Sequence, residues 1–442
     1  MKEFFGGRLR VLPLAAIVLL VFFATVVNVR WLVGLLTNPT TGFAWDFAIN
    51  WTAARGQLDG VSLYDWQNLQ AIGITHIGPR MADLFQDPFT SYIGLPTTAL
   101  FVLPFAHLSF AWATLLYRLT CVIFFITAVG VLVQTLPAHL RSRGWGLGLA
   151  ALTTINAFAT SVWLGQVDAF IVLALAVCLW GIHKGAWGIA GIGLGIATLL
   201  KISPGVLIIY LVLRRQWRAA GSAIVTMGVL MAVALWVGRP DDLARFIIEV
   251  SPSLSQGSIY WQNHALPALL ARLFVPSPLL ISYATGLGMW RVVALFIVAC
   301  GMLVLWWKQH QQPLEATEAA TLILIGLLAG PITWNHYLSW ALILLVSAKY
   351  LWSKDDHSRW PRLYAGLLVA GWSLLVAPIP YASNNGSLLY WVRTCLPTLS
   401  LIALTMSQAL LLSRSPKRSV AKVGNSYDAT TSTLEYTTHA SP

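Results

Sequence analysis

Long apolar runs separated by short polar turns recur from residue 11 to residue 412. Most approach the roughly 20 residues that a helix needs to cross a bilayer. The pattern predicts twelve crossings, at about 11–36, 109–136, 144–161, 165–183, 186–200, 203–214, 217–237, 281–307, 317–331, 335–351, 361–379 and 387–412. Residues 1–412 read as one all-α polytopic membrane domain. Its outer loops, 37–108 and 238–280, carry juxtamembrane helices and form the functional face. The last stretch, 413–442, is rich in Ser, Thr and basic residues and reads as a disordered cytoplasmic tail. The first run follows Lys2, Arg8 and Arg10, has no convincing small-residue cleavage site, and reads as a retained helix.

Residues 93–106 (IGLPTTALFVLPFA) are apolar but short for a crossing. If they cross, Arg141 and Arg143 lie outside. If they form a re-entrant or surface helix, those arginines join Lys184, Arg214, Arg215, Arg218, Lys308, Lys354, Arg359, Arg362 and Arg414 inside. The bias of basic residues toward cytoplasmic loops favours the second choice and puts both termini in the cytoplasm. Pro204, just after Lys201, predicts a broken, partly sunken helix pair over 186–214.

Composition agrees with the pattern. Apolar residues make up 57% of the chain and charged residues 10%, against about 25% charged in a soluble domain. A soluble enzyme, a secreted disulfide scaffold and a disordered protein are excluded. The net charge is +12; because the basic residues cluster between apolar runs, the expected partner is membrane lipid and not nucleic acid. The four cysteines lie inside apolar runs, as small packing residues do. No HExxH, cysteine pair, Walker loop or Rossmann glycine fingerprint is present, so neither a metal nor a cofactor is expected.

Charge on the outer side is sparse, so each group there can be weighed. In WDFAINWTAAR (45–55), Asp46 and Asn50 share a helix face, with Arg55 further along. A carboxylate beside Trp45 and Phe47 at the membrane boundary suits a general base; the plainer reading is a first-turn acid complementing the helix dipole. Asp59 and Asp65 read as turn and cap residues. In WLGQVDAF (163–170), Gln166 and Asp168 either touch substrate or satisfy a turn. Lys201 is an outer-side ammonium against the positive-inside trend, suited to a phosphate at headgroup level; the plainer reading is a snorkelling lysine. Asn263-His264 and Asn335-His336 supply two histidines in apolar surroundings, for a phosphate oxygen or a leaving group, although a single histidine is more often structural.

These segments resemble glycosyltransferase family 87, within the GT-C superfamily of polytopic glycosyltransferases. The matching stretches are DFAINWTAARGQLDGVSLYD (46–65), the proline-broken segment at 94–106, LGQVDAFIVLALAVCLWG (164–181), GIGLGIATLLKISPGVLIIYLVLRRQWRAA (191–220), QNHALPALLARL (262–273) and TWNHYLSWALIL (333–344). The resemblance implies a GT-C fold, a polyprenyl-phosphate sugar as donor (mannose or arabinofuranose), a glycolipid or polysaccharide acceptor, and an acidic base in the first outer loop, the position of Asp46. The chain departs from the family in its separated prolines (DPFTSYIGLP) and in having Asn263-His264 where Ser often follows Asn-Gln. The expectation is inverting transfer at the outer face of a bacterial inner membrane. Asp46 acts as base, Lys201 with His336 or His264 holds the donor phosphate, and Asn50, Arg55, Gln166, Asp168, Asn263 and Asn335 contact substrate. A lipid-linked sugar flippase and a non-catalytic scaffold are the competing readings.

Overall fold

The structure, a computed structural model, describes residues 19, 22–37, 42–87, 90–275, 287–352, 360–376 and 388–413. Among these residues the regular elements are helices, without strands. The predicted tail from 414 onward, the start of the first run and the 281–286 start of another span lie outside the described residues.

The first helices run α1 (Phe22–Thr37), α2 (Trp45–Leu58), α3 (Trp66–His76), α4 (Pro96–Ala106) and α5 (Phe110–Val133). Next come α6 (Arg141–Thr154), α7 (Asn156–Leu164), α8 (Asp168–Lys184), α9 (Trp187–Leu200), α10 (Val206–Leu213) and α11 (Trp217–Val237). After helical segments at Asp241–Arg245, Phe246–Val250 and Ser251–Gln256 follow α12 (Leu266–Arg272), α13 (Trp290–Gln309) and α14 (Ala316–Ala329). A run over Asn335–Trp352 is hydrogen-bonded at three residues per turn, and α15 (Trp360–Val376) and α16 (Leu388–Leu412) complete the chain. Such tight runs seldom exceed one turn, and this one carries the NHYLSW segment.

Among the described residues four helices are long and apolar enough to cross a membrane: Phe110–Val133, Trp217–Val237, Trp290–Gln309 and Thr394–Leu412. The pair α6–α7, bent by 62°, makes a fifth if it is one span. Other expected crossings coincide with shorter apolar helices, such as Phe22–Thr37, Trp187–Leu200 and Ala316–Ala329. The 144–161 run was expected to be continuous but breaks at Ile155. Thr153 and Thr154 donate back to the carbonyls of Leu149 and Ala150, a bond that bends helices. The carbonyls freed at the bend accept from Asn28 Nδ2 at 2.9 and 3.2 Å.

Helix α4 has 11 residues, about 16 Å at 1.5 Å per residue, roughly half the hydrocarbon thickness. It lies against α2, with Trp51 Nε1 donating to Phe105 O at 3.0 Å. Helix α2 separates two apolar cores. Phe47, Trp51 and Ala54 face the main bundle, while Ala48 and Ala53 face a smaller lobe with Leu63, Leu69 and Met81. That double packing buries α2 on both sides and fixes it as a layer between the bundle and the smaller lobe. The predicted break near Pro204 is present: α9 ends at Leu200 and α10 starts at Val206. At the far end of α10, Arg214 pairs with Glu318 of α14 and donates to Gln312 O at 2.6 Å.

Candidate active site

Asp46 stands in the first turn of α2 and is half-buried. Its Oδ2 accepts a hydrogen bond from Gln166 Nε2 at 2.6 Å. Gln166 is held there by the tight turn between α7 and α8. Gly165 takes φ +70°, and its Cα faces Phe47 so closely that a Cβ there would collide with the Cβ of Phe47. Only glycine serves this position, for both its left-handed backbone and its missing side chain. The turn therefore presses directly on α2, and the amide of Gln166 reaches the carboxylate.

Asp168, two residues further, opens α8 and is fully buried. Four donors converge on it from three other parts of the chain. Lys201 Nζ and Trp340 Nε1 lie 2.9 and 2.8 Å from Oδ1. His336 Nδ1 and Ser161 Oγ lie 2.6 and 3.4 Å from Oδ2. A carboxylate only accepts, so Nδ1 of His336 carries the proton toward Asp168 and Nε2 is the nitrogen left for other partners. Lys201 sits in the β-region just past α9, because Pro204 prevents the helix from continuing. Its ammonium lies 3.5 Å from the centre of the Tyr337 ring, a cation–π contact, and Tyr337 stacks on Trp340 at 5.4 Å. The lysine thus keeps one donor on Asp168 and turns its charge toward the Tyr337 ring.

The electrostatics of Asp46 follow from this neighbourhood. Burial pushes its carboxyl above the usual carboxylate range and is the largest influence. The charges of His336 and Lys201 and the Gln166 hydrogen bond pull it down, and Asp168 adds a little to the rise. Asp46 is therefore a proton acceptor of strengthened basicity within electrostatic reach of a lysine, a histidine and a second carboxylate. The sequence offered Asp46 as a lone acid; its second carboxylate comes from another helix, a proximity no spacing within one segment reveals.

Of the candidate residues, Asp46, Gln166, Asp168, Lys201 and His336 come together. Asn335 is adjacent, with Nδ2 3.5 Å from Thr160 Oγ1, and Asn50 is half-buried one turn along α2 from Asp46. Arg55 points elsewhere, to Asp59 at 3.7 Å and Ala106 O at 3.5 Å. Asn263 is a clamp: its amide donates to Ser258 O and Pro331 O and accepts from the backbone N–H of Ala265 and Thr333. His264 is buried beside it, its backbone N–H on Thr333 O at 2.7 Å. Both hold the segment that leads into His336. Sequence reasoning passed over Ser161, Tyr337 and Trp340. The signal was present in NHYLSW, where Trp340 lies four residues after His336, but a tryptophan in an apolar run reads as packing.

A family model described as glycosyltransferase family 87 matches residues 92–331, more than half of the chain. The chain belongs to glycosyltransferase family 87. The matched stretch carries Gln166, Asp168 and Lys201 of this family 87 chain, with Asp46 and His336 flanking it. It is 26% identical, over 65% of its length and 66% of the relative's, to a polyprenol-phosphate-mannose-dependent alpha-(1-2)-phosphatidylinositol pentamannoside mannosyltransferase of Mycobacterium tuberculosis. It is 21% identical, over 75% of its length and 79% of the relative's, to an alpha-(1->3)-arabinofuranosyltransferase of Corynebacterium glutamicum. A polyprenol-phosphate-mannose-dependent alpha-(1-2)-phosphatidylinositol mannoside mannosyltransferase of Mycobacterium tuberculosis is 22% identical over 75% of the chain and 77% of the relative. No solved structure matches the chain.

Proposed function

We propose that this protein is an inverting membrane glycosyltransferase that moves mannose or arabinofuranose from a polyprenyl-phosphate donor to a glycolipid or polysaccharide acceptor. The site faces the outer side of a bacterial inner membrane, in a GT-C fold with about twelve crossings and cytoplasmic termini. The observation that carries the reading is the placement of Asp46: a half-buried carboxylate of raised basicity, hydrogen-bonded to Gln166 beside the Lys201–Asp168–His336 cluster.

In this mechanism the acceptor hydroxyl gives its proton to Asp46 while its oxygen attacks the anomeric carbon. The bond from that carbon to the donor phosphate oxygen breaks on the opposite face, and polyprenyl phosphate leaves. The departing phosphate gains negative charge. The N–H groups of Lys201 not bound to Asp168 and, when the imidazole is protonated, Nε2–H of His336 meet that charge where water is largely excluded. His336 is preferred to His264 for this role because it shares Asp168 with Lys201. The leaving group is already a stable anion and needs no strong acid. The names of the mannosyltransferase relatives make polyprenyl-phosphate mannose the first donor to test.

The test is turnover by the purified full chain in detergent, with polyprenyl-phosphate mannose and a phosphatidylinositol mannoside acceptor. Release of polyprenyl phosphate with a lengthened glycolipid is expected. In proteoliposomes, movement of intact donor without its cleavage would instead identify a flippase and overturn the proposal.

A further inference from the structure

Arg118 lies inside the apolar helix α5 and is 0% exposed. A guanidinium buried in a membrane helix is costly, and such residues face the bundle interior, satisfied by acids or by backbone carbonyls. Arg118 uses carbonyls. Its Nη2 donates to Gly42 O at 2.7 Å and to Trp163 O at 3.3 Å, and its Nη1 to Leu35 O at 3.5 Å. Leu35 and Trp163 lie in the last turns of α1 and α7, where helix carbonyls lack partners and the dipole is negative. The arginine thereby caps the ends of two helices.

Two of those three carbonyls lead into the active site. Gly42 is four residues before Asp46, and Trp163 is three residues before Gln166. The same turn of α5 makes further contacts with both arms. Tyr117 stacks on Phe47, next to Asp46, with ring centres 4.4 Å apart. Cys121 Sγ lies 3.8 Å from Gln166 O. The arms also interlock with each other: at Gly42, with φ +74°, a Cβ would stand 2.6 Å from Trp163 Nε1, and Gly165 is closed against Phe47 in the same way.

We infer that Arg118 is a positioning residue for the transfer reaction: by pinning the Gly42 and Trp163 carbonyls to one guanidinium, it sets the register of the Asp46 arm against the Gln166 arm. It touches no substrate and acts through Asp46. The inference rests on the proposed role of Asp46 as base, and it assigns no part in donor binding, which falls to Lys201 and His336 on other elements. Lysine is a poor substitute, because a point charge on a flexible stem does not reproduce a planar fork bound to several carbonyls.

The experiment is steady-state kinetics and a pH–rate profile for Arg118→Lys and Arg118→Gln in the purified full chain. Folded protein is quantified by gel filtration and thermal unfolding. With Asp46 out of register, kcat per folded molecule is expected to fall about 10²-fold, the scale of a misplacement near 1 Å. The donor KM is expected to stay within about twofold, since Lys201 and His336 are untouched. The acid limb of the profile is expected to move to lower pH. Loosening the two arms admits water to Asp46, and burial outweighs the effects of Gln166, His336, Lys201 and Asp168 that also face it. A merely structural arginine would lower the folded yield and leave all three per-molecule quantities alone.

Gly42→Ala supplies the second arm of the test, because it pushes the α2 lead-in off Trp163 while keeping Arg118. It is expected to give the same drop in kcat, the same flat donor KM and the same shift of the acid limb. Wild-type kcat and pH profile per folded molecule in these variants would overturn the inference, as would a loss confined to donor KM. Absence of transfer by the wild-type chain would instead sink the functional reading itself.

Discussion

Asp46 and Asp168 are the two acids of the site, and their surroundings divide their work. Asp168 is covered by Lys201, His336, Trp340 and Ser161, so it orients cations and has little left for a proton. Asp46 has Gln166 and is raised by burial, so it is the acid poised to accept one. Asp46→Asn is expected to lower kcat by about 10²–10⁴-fold, the usual share of general-base assistance, with donor affinity retained in an equilibrium binding assay. The pH dependence has a definite sign. A base works when deprotonated, so with Asp46 as the proposed base activity is expected to rise with pH through its pKa. Burial moves that rise above the ordinary carboxylate range, and Asp46→Asn is expected to erase it from the pH–rate profile. Asp168→Ala strands the Lys201 ammonium in a buried site. Breaking a buried pair in this way costs about 3–5 kcal/mol, which thermal unfolding in detergent is expected to register as a markedly lower Tm. At this scale Asp46, Lys201 and His336 were legible because each is a rare charge in an apolar chain. The roles of Gln166 and Trp340 were not, since both follow from contacts more than a hundred residues apart.

The elements that bring these residues together depend on small side chains. Helix α9 delivers Lys201, and it is flanked by α8 and α11 at backbone-contact distance. A Cβ on Gly193 would meet Ala174 O of α8 at 2.5 Å; on Gly191 and Gly195 it would run into Ala219 O and Ala223 O of α11. Residues 191 and 195 form the small-xxx-small stripe that lets membrane helices approach closely. Gly195→Leu is expected to wedge α9 from α11, lowering Tm by overpacking and raising the donor KM through displacement of Lys201. Helix existence was readable from hydropathy, and the Pro204 break from the missing N–H of proline. The bend at Ile155 was not, because Asn28, which satisfies its carbonyls, belongs to a helix far away in the chain. Nor does apolar periodicity announce that Asn335–Trp352 winds at three residues per turn.

For the whole molecule, the topology proposed from charge bias, with a non-crossing α4, puts Asp83 and Arg143 on opposite sides. Both residues are exposed. Asp83→Cys is expected to react with a membrane-impermeant maleimide in intact cells, with the outer membrane permeabilised where one exists. Arg143→Cys is expected to react only after the inner membrane is opened as well. Labelling of both from outside would mean that residues 93–106 cross and that the inside assignment is reversed beyond them. The apolar girdle of the protein is uneven. Helix α5 has 24 residues, about 36 Å end to end, whereas α9 has 14, about 21 Å. Lipid against the exposed Ile189 and Ile192 of α9 is expected to thin or dip to match it. On the proposed reading, a long-chain phosphate arriving on that side is expected to ride down with the depressed leaflet, its headgroup descending toward the depth of Lys201 without leaving the polar layer.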